Sequence, residues 1–378
     1  MKRENIPDTV KIRLWGKAAG RCQFAGCNKP MYYDSLTKAE FNTAYLAHIY
    51  AVSIGGNRYD PVQSPKLVKD ISNLMLMCDE HHRLIDDKAN EVLFSAPVLL
   101  EMKAEHEKRI ELITSTGSEH QSHVILFGAR IGTHEVPLSY KIATDAMLPH
   151  KYASATGAIE LGMKNCVLED HTVEYWLFQE KQLKEMFNRQ VVPLKGIHPV
   201  QHFSVFALAP MPLLVKLGTL LSDIYEADVY QKHREPNTWK WQQTTTHPEI
   251  TFHQPVDTSG TPALKISLSG SIAGDRIEKA LGTMPSLYEI TIPNPANDFL
   301  KSKTLLAQFR TTMRVALNQI KSVHGHDQLL HVFPAMPLSA AIELGRVWMP
   351  KADMHMLIYD QNQRLNNFIP TLTIKQDD

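Results

Sequence analysis

The sequence contains no long hydrophobic run, no net charge and little cysteine. No stretch approaches the roughly 20 apolar residues of a membrane-spanning helix, and the first residues lead into polar sequence rather than a signal-peptide core. We therefore expect a cytoplasmic protein without a membrane partner. The formal net charge is +0 at pH 7, so charge on the whole chain does not point to nucleic acid. Apolar residues make up 43% and charged residues 21%, which excludes disordered and fibrous proteins.

The charge is nevertheless unevenly distributed. Residues 1–70 hold eleven Lys or Arg against six Asp or Glu, a local excess of five positive charges. Such an excess can contact a phosphate backbone, but a solvated basic face has the same composition. Both interpretations stay open at this point.

A chain of 378 residues is longer than one core usually grows, so we expect two domains. Residues 97–113 begin with a proline and repeat apolar positions every three to four residues, which predicts an amphipathic helix. The polar stretch 114–122 that follows has the composition of a linker, and residues 123–128 read as a buried strand. We predict a first domain at 1–118 and an α/β domain at 119–378.

Two segments of the second domain resemble each other. In residues 205–218 and 332–345 an apolar strand runs to a proline that opens a helix, and Leu-Gly follows seven and eight residues after that proline. The pattern predicts two similar Rossmann-like halves, about 122–245 and 246–378, although strand-proline-helix is common enough to recur by chance. Two helix N-termini would suit a ligand with two or more phosphates.

The cysteines of the first domain form two tight pairs of metal-ligand type. Cys22 and Cys27 flank a glycine, and Cys78 is followed three residues later by His81. Soft ligands from two such pairs suit tetrahedral Zn²⁺, and a reducing cytosol disfavours disulfides. We expect a structural zinc ion. The alternative is buried free cysteines beside an exposed histidine.

Three further polar residues lie between or directly beside these two pairs in the sequence. Leu46-Ala47-His48-Ile49 precedes a Gly55-Gly56 turn, Asn73 follows it, and His82 adjoins His81. The ordered set His48, Asn73, His82 within a zinc knuckle resembles the HNH, or ββα-metal, nucleases over residues 15–90.

The resemblance implies roles for these three residues in phosphodiester hydrolysis with Mg²⁺. His48 would be the general base, Asn73 would hold that imidazole or join the metal shell, and His82 would bind the metal. Many relatives carry an acidic residue or histidine just before the base as a second metal ligand, where this chain has Ala47. Asp60 and Asp70 are candidates for that ligand. Arg58, after the glycine turn, would contact phosphate or be structural.

The C-terminal stretch from His331 to Asp360 resembles the SAVED domain, described as two fused CARF-like halves. The whole chain is therefore similar to the HNH-SAVED effector nucleases of bacterial CBASS anti-phage systems. That resemblance implies a cyclic di- or trinucleotide activator, assembly into a dimer or tetramer, and cleavage of double-stranded DNA.

Candidate ligand contacts combine aromatic and basic side chains. Residues 230–241 interleave the two kinds after a strand, so Tyr230, Arg234, Trp239 and Trp241 are expected to contact the ligand. Pro337, Ser339 and Tyr359 lie at the second turn and strand end, where helix-start amides would hold a phosphate. The alternative for the tryptophans is a pair that covers an edge of the core.

The sequence thus predicts a gated, metal-dependent DNA endonuclease and leaves two alternatives. One is an unregulated HNH nuclease whose large domain recognises a DNA target. The other is a zinc-stabilised DNA-binding module without catalysis, because of Ala47. The identity and ring size of the messenger, the oligomer count and the cleavage-site preference are not readable from the residues.

Overall fold

The computed structural model describes residues 5–34, 36–115, 117–130, 138–162, 166–197, 199–244, 248–362 and 364–376. The chain divides into two compact units, residues 1–117 and 118–378. The predicted boundary between the halves of the second domain, at 245–246, lies outside the described residues.

The first unit is a small hairpin packed among helices. Its elements are α1 (Asp8–Lys17), β1 (Tyr45–His48), α2 (Gln63–Leu67), β2 (Leu74–Met77), α3 (Asp79–Asp86) and α4 (Ala96–Thr114). β1 and β2 pair antiparallel, with His48 opposite Leu74. All four residues of β2 are buried, because this strand runs through the centre of the unit's apolar core.

The second unit contains two sheets covered by helices. Its strands are β3 (Gln121–Gly128), β4 (Tyr152–Ala153), β5 (Ile159–Glu160), β6 (Phe203–Leu208), β7 (Ala227–Val229), β8 (Thr251–His253), β9 (Thr261–Ser267), β10 (Pro285–Thr291), β11 (Leu330–Ala335), β12 (Met356–Asn362) and β13 (Asn367–Ile374). Its helices are α5 (Tyr140–Met147), α6 (Val173–Gln190), α7 (Met211–Leu221), α8 (Gly274–Leu281), α9 (Lys303–His324) and α10 (Leu338–Val347).

The two sheets share one topology. In the first, β7, β6, β3 and β4 lie side by side and parallel, with β5 also beside β3. In the second, β12, β11, β9 and β10 repeat this parallel order, and β13 and β8 add antiparallel edges. The chain therefore runs through two equivalent α/β halves, as the repeated sequence pattern predicts.

The repeated Leu-Gly pairs lie where the two halves meet. α7 and α10 are equivalent helices, and they cross at Gly218 and Gly345. A Cβ atom on Gly345 would stand 2.0 Å from the Val215 carbonyl oxygen, and one on Gly218 would stand 2.0 Å from that of Ile342. Glycine is therefore required at both positions for the helix backbones to approach this closely.

Replacing Gly345 with alanine is expected to destabilise the second unit by about 1–3 kcal/mol or more, because overpacking forces the helices apart. The urea midpoint of full-length protein measures this. Gly274→Ala in α8 is the matched control, since its Cβ would meet only the Leu287 side chain at 3.7 Å. Equal midpoints for the two variants would contradict the close crossing.

The local elements agree with the sequence pattern. The helix predicted at 97–113 is α4, which begins one residue earlier, and the strand predicted at 123–128 is the greater part of β3. Among the described helices, none is both long and apolar enough to cross a membrane.

Candidate functional site

Four metal-ligating side chains converge in the first unit. One ligand atom from each of Cys22, Cys27, Cys78 and His81 lies within 4.8 Å of all the others. The Cys78 Sγ to His81 Nδ1 distance is 3.0 Å, and Cys22 Sγ lies 3.9 Å from the same nitrogen. Three sulfurs and one imidazole nitrogen in this arrangement fit a tetrahedral metal ion of the Zn²⁺ type.

Local backbone structure brings these ligands together. Gly26, between the first two cysteines, has φ +79°, so the loop can turn tightly. Gln23 is fully buried and joins this loop to β2, because its backbone N–H donates to the Leu76 carbonyl and its Oε1 accepts from the Leu76 N–H. Cys78 precedes α3 and His81 lies in its first turn. The Phe24 ring stacks on His81 at 4.1 Å.

Burial raises the pKa of the Cys22 thiol and of the Cys78 thiol above the usual range, because it disfavours the charged form. Thiolates at these positions need a nearby positive charge. A bound cation would supply that charge.

His48 ends β1 with one ring nitrogen fixed. Its Nε2 lies 3.0 Å from the Val68 carbonyl oxygen. A carbonyl can only accept a hydrogen bond, so Nε2 carries the proton and donates it. In the neutral ring Nδ1 is then left with a lone pair, as a general base requires.

Asn73 is placed differently from the prediction that it holds this imidazole or joins the metal shell. It is buried, its Oδ1 accepts from the Tyr50 N–H at 2.7 Å, and its Nδ2 donates to the carbonyls of Tyr50 and Leu67. Leu67 precedes Val68, whose carbonyl accepts from His48. Asn73 therefore contacts the backbone near His48 rather than the imidazole itself.

His82 lies on α3 with an acidic neighbour one turn later. Its Nε2 is 3.6 Å from Asp86 Oδ2, and the Tyr45 ring stacks on its imidazole with the centroids 4.8 Å apart. Neighbouring ligand atoms of an octahedral Mg²⁺ lie about 3 Å apart, so this pair fits a divalent cation with little adjustment. Ala47 is 2% exposed and belongs to the core.

The two carboxylates that the sequence singled out serve as caps of short helical turns. Asp60 accepts from the backbone N–H groups of Gln63 and Val62, and Asp70 accepts from the hydroxyl and the N–H of Ser72. These hydrogen bonds lower the pKa of both carboxyls. Sequence reasoning missed Asp86. The signal was its spacing of four residues from His82, which puts both side chains on one helix face.

Arg58 is structural rather than exposed to a phosphate. The residue is 9% exposed, with Nε donating to the Ile49 carbonyl and Nη1 to the Ile85 carbonyl. Its Nη2 lies 3.4 Å from Asp86 Oδ1. Arg58 thus connects the backbone next to His48 with α3.

A cleft of about 1210 Å³ brings the candidate base and metal ligands to one surface. Its walls include His48, His82 and Asp86, with Lys11 and Lys88. The arrangement places two imidazoles, a carboxylate and two lysine side chains around one space.

In the second unit, three of the predicted ligand-contacting rings lie in the interior. Tyr230 and Trp239 are 3% and 4% exposed and both pack on Phe206, and Tyr359 is 4% exposed and stacks on Phe333. Their burial favours the alternative that the aromatic rings cover the core, and their contact with a ligand stays a prediction. Tyr230 and Trp239 follow β7 and pack against Phe206 of the neighbouring strand β6, and Tyr359 of β12 packs against Phe333 of the neighbouring strand β11, so these rings cover apolar faces that would otherwise be exposed.

The start of α10 is occupied by a side chain of the other half. Gln231 Oε1 accepts from the N–H and from the hydroxyl of Ser339, at 3.0 and 2.8 Å. Ser339 and Pro337 are buried here, so the helix-start amide predicted to hold a phosphate is satisfied by an amide oxygen. Because Gln231 follows β7 and Ser339 follows β11, this contact also shows that the carboxyl edges of the two half-sheets meet.

Arg234 and Trp241 remain candidates at this edge. Arg234 is exposed and its backbone N–H donates to Asp298 at 3.3 Å, and Trp241 is half-buried against the core. Their contact with a ligand stays a prediction.

The second unit is thus a sensor-like α/β unit of two equivalent halves, and its sequence places it in a family. The SAVED family, the SMODS-associated and fused to various effectors sensor domain, matches residues 183–374, which is 192 of the 378 residues. The chain belongs to the SAVED family. No curated protein sequence matches the chain.

Solved structures of Cap4 SAVED/CARF-domain containing receptors are similar to the chain. The Acinetobacter baumannii receptor with the cyclic trinucleotide 2'3'3'-cAAA is 13% identical over 84% of this chain and 67% of that one, with a TM-score of 0.45. The same receptor with the cyclic trinucleotide 3'3'3'-cAAA is 13% identical over 83% of this chain and 60% of that one, with a TM-score of 0.43. The Moraxella osloensis receptor is 11% identical over 74% of this chain and 61% of that one, with a TM-score of 0.38.

Proposed function

We propose that the chain is a metal-dependent DNA endonuclease that a cyclic oligonucleotide switches on in anti-phage defence. The observation that carries the proposal is the cleft of the first unit, where the His48 ring is held with its Nδ1 free for a proton and shares the walls with His82 and Asp86. The SAVED sensor family of the second unit supports regulation by a ligand.

His48 acts as the general base. The Val68 carbonyl holds its Nε2–H, so Nδ1 accepts a proton from the water that attacks the phosphorus atom. Asn73 keeps the backbone around Leu67 and Tyr50 in place and thereby orients the ring. The bond from phosphorus to the leaving oxygen breaks as the water oxygen adds.

His82 would bind the catalytic cation through a neutral ring nitrogen, and the Tyr45 ring stacked on it would restrain that imidazole. When bound, Mg²⁺ supplies positive charge to the phosphate and to the leaving oxygen. Cys22, Cys27, Cys78 and His81 would hold a structural Zn²⁺, which would tie the start of α3, directly beside His82, to the loop of Cys22 and Cys27.

The substrate is double-stranded DNA. Lys11 and Lys88 line the same cleft as His48 and His82, where they can contact phosphates flanking the one that is cut. These contacts carry no base readout, so we expect little sequence preference.

The activating ligand binds at the carboxyl edges of the two half-sheets. Ligands of open α/β sheets bind beyond the carboxyl ends of their strands, and here two equivalent edges meet at Gln231 and Ser339. A ring-shaped oligonucleotide repeats its own chemistry and suits two equivalent halves. Activation then follows if the ligand favours an assembled dimer or tetramer. About 10⁴-fold tighter binding to that state would move a 1:99 population to 99:1.

Plasmid cleavage in Mg²⁺, with and without a panel of cyclic di- and trinucleotides, tests this function. We expect cleavage with one messenger and none without it. Cutting that needs no messenger would favour an unregulated nuclease with a DNA-recognition domain. Binding of DNA without cutting under every condition would favour a zinc-stabilised binding module.

A further inference from the structure

Arg58 is a buried residue that connects the backbone next to His48 with helix α3, which bears His82. Its side chain is 4% exposed, while that of Asp86 is 53% exposed. The guanidinium donates to the carbonyl of Ile49, the residue after His48, and to the carbonyl of Ile85, the residue before Asp86. Its third contact is the Asp86 carboxylate at 3.4 Å. One rigid group therefore touches both the strand that bears the base and the helix that bears His82.

The backbone of Arg58 is held as firmly as its side chain. Its φ is +61°, an uncommon conformation for a residue with a side chain, and its N–H donates to the Glu91 carboxylate at 2.8 Å. Such a conformation persists where the surrounding contacts require it. The planar guanidinium presents donors in a fixed fork, so it can satisfy two carbonyls and orient a carboxylate together.

We propose that Asp86 is the second protein ligand of the catalytic cation and that Arg58 is the positioning residue that fixes it relative to His48. The proposal rests on the proposed function. Arg58 holds Oδ1 of Asp86, which leaves Oδ2, 3.6 Å from His82 Nε2, directed to the cation. Asp86 thereby supplies the carboxylate that the position of Ala47 lacks.

Mn²⁺ binding to zinc-loaded, full-length protein without DNA tests the inference, because the electron paramagnetic resonance signal of free Mn²⁺ is lost on binding. Asp86→Asn is expected to weaken Mn²⁺ binding by more than tenfold. Arg58→Gln is expected to weaken it by about 10–100-fold, the range found for residues that orient metal ligands. Combining the two substitutions is expected to add little, because Arg58 acts through Asp86.

Matched controls lie in the second unit. Arg364 pairs with Glu169 at 2.8 Å and both side chains are more than half exposed, so Arg364→Gln and Glu169→Gln remove groups of the same charges outside the first unit. Both controls are expected to bind Mn²⁺ as the unaltered protein does.

Wild-type Mn²⁺ affinity in Asp86→Asn or in folded Arg58→Gln would overturn the inference, as would absence of Mn²⁺ binding to the unaltered protein. If Arg58→Gln does not fold, Arg58→Lys is the variant to measure, because lysine keeps the positive charge but lacks the forked N–H donors of the guanidinium. Unchanged Mn²⁺ affinity in that variant would overturn the positioning role. Failure of the proposed function appears differently, as a protein with this binding pattern that never cuts DNA.

Discussion

Replacing His48 with alanine is expected to lower messenger-activated plasmid cleavage by about 10²–10⁴-fold, the usual contribution of a general base. The hydrogen bond from Nε2 to the Val68 carbonyl leaves Nδ1 as the only ring nitrogen that can take a proton. Without the ring, the attacking water loses its proton acceptor while the cation-binding pair on α3 stays in place. Initial rates of nicking at saturating Mg²⁺ measure the loss.

His48→Gln is the sharper variant. A glutamine amide can still donate to the Val68 carbonyl, but it has no basic nitrogen, so we expect the same loss of rate with the local structure kept. His326→Ala removes an exposed histidine of the second unit, where it pairs with Asp327 at 3.5 Å, and is expected to cut normally. A His48→Gln protein that cuts at the original rate would exclude His48 as the base.

Removing the structural zinc is expected to unfold the first unit and to leave the second unit folded. Structural zinc sites contribute about 10–16 kcal/mol in small peptides. The hairpin and helices of the first unit have a small core of their own, and four metal-ligating side chains converge beside it. Cys78→Ser should therefore lose the zinc and all cleavage. Hydrogen exchange read separately over residues 5–115 and 118–376 measures which part opens.

Cys166→Ala provides the control for this change. Cys166 is a buried cysteine of the second unit and lies in its apolar core. That variant is expected to retain one zinc ion per chain and an intact first unit. A Cys78→Ser protein that keeps its zinc, or that protects residues 5–115 from exchange as before, would show that these four residues do not hold a structural metal ion.

The first unit was largely predictable because its chemistry is local. Cys22 and Cys27 share one loop, and Cys78, His81 and His82 share the start of one helix, so each group is close in space whatever the rest of the chain does. The spacing of His82 and Asp86 is equally local and was available to the same reasoning. The contacts of Asn73 and Arg58 could not be predicted in this way, because these side chains donate to backbone carbonyls that come near them only in the folded chain.

The sensor unit divides in the same way. Its doubled architecture was legible in the repeated strand-proline-helix pattern, since the Leu-Gly pairs recur for one physical reason, the close crossing at Gly218 and Gly345. The partners of its polar and aromatic side chains were not legible. The composition of an aromatic and basic stretch is the same whether its rings stack on a nucleobase or on Phe206. The sequence at the start of a helix is likewise the same whether its backbone N–H donates to a phosphate or to Gln231.

The amino-acid sequence alone predicted the two units, the zinc-type ligand set, the candidate residues His48 and His82, and the duplicated halves. Each of these depends on periodicity or on short spacing. The tertiary structure alone decides that Nδ1 of His48 is the free nitrogen, that Arg58 holds Asp86, and that Tyr230 and Trp239 face the core. Those outcomes depend on which distant groups compete for each donor, acceptor and apolar face. That competition is settled only when the whole chain has packed.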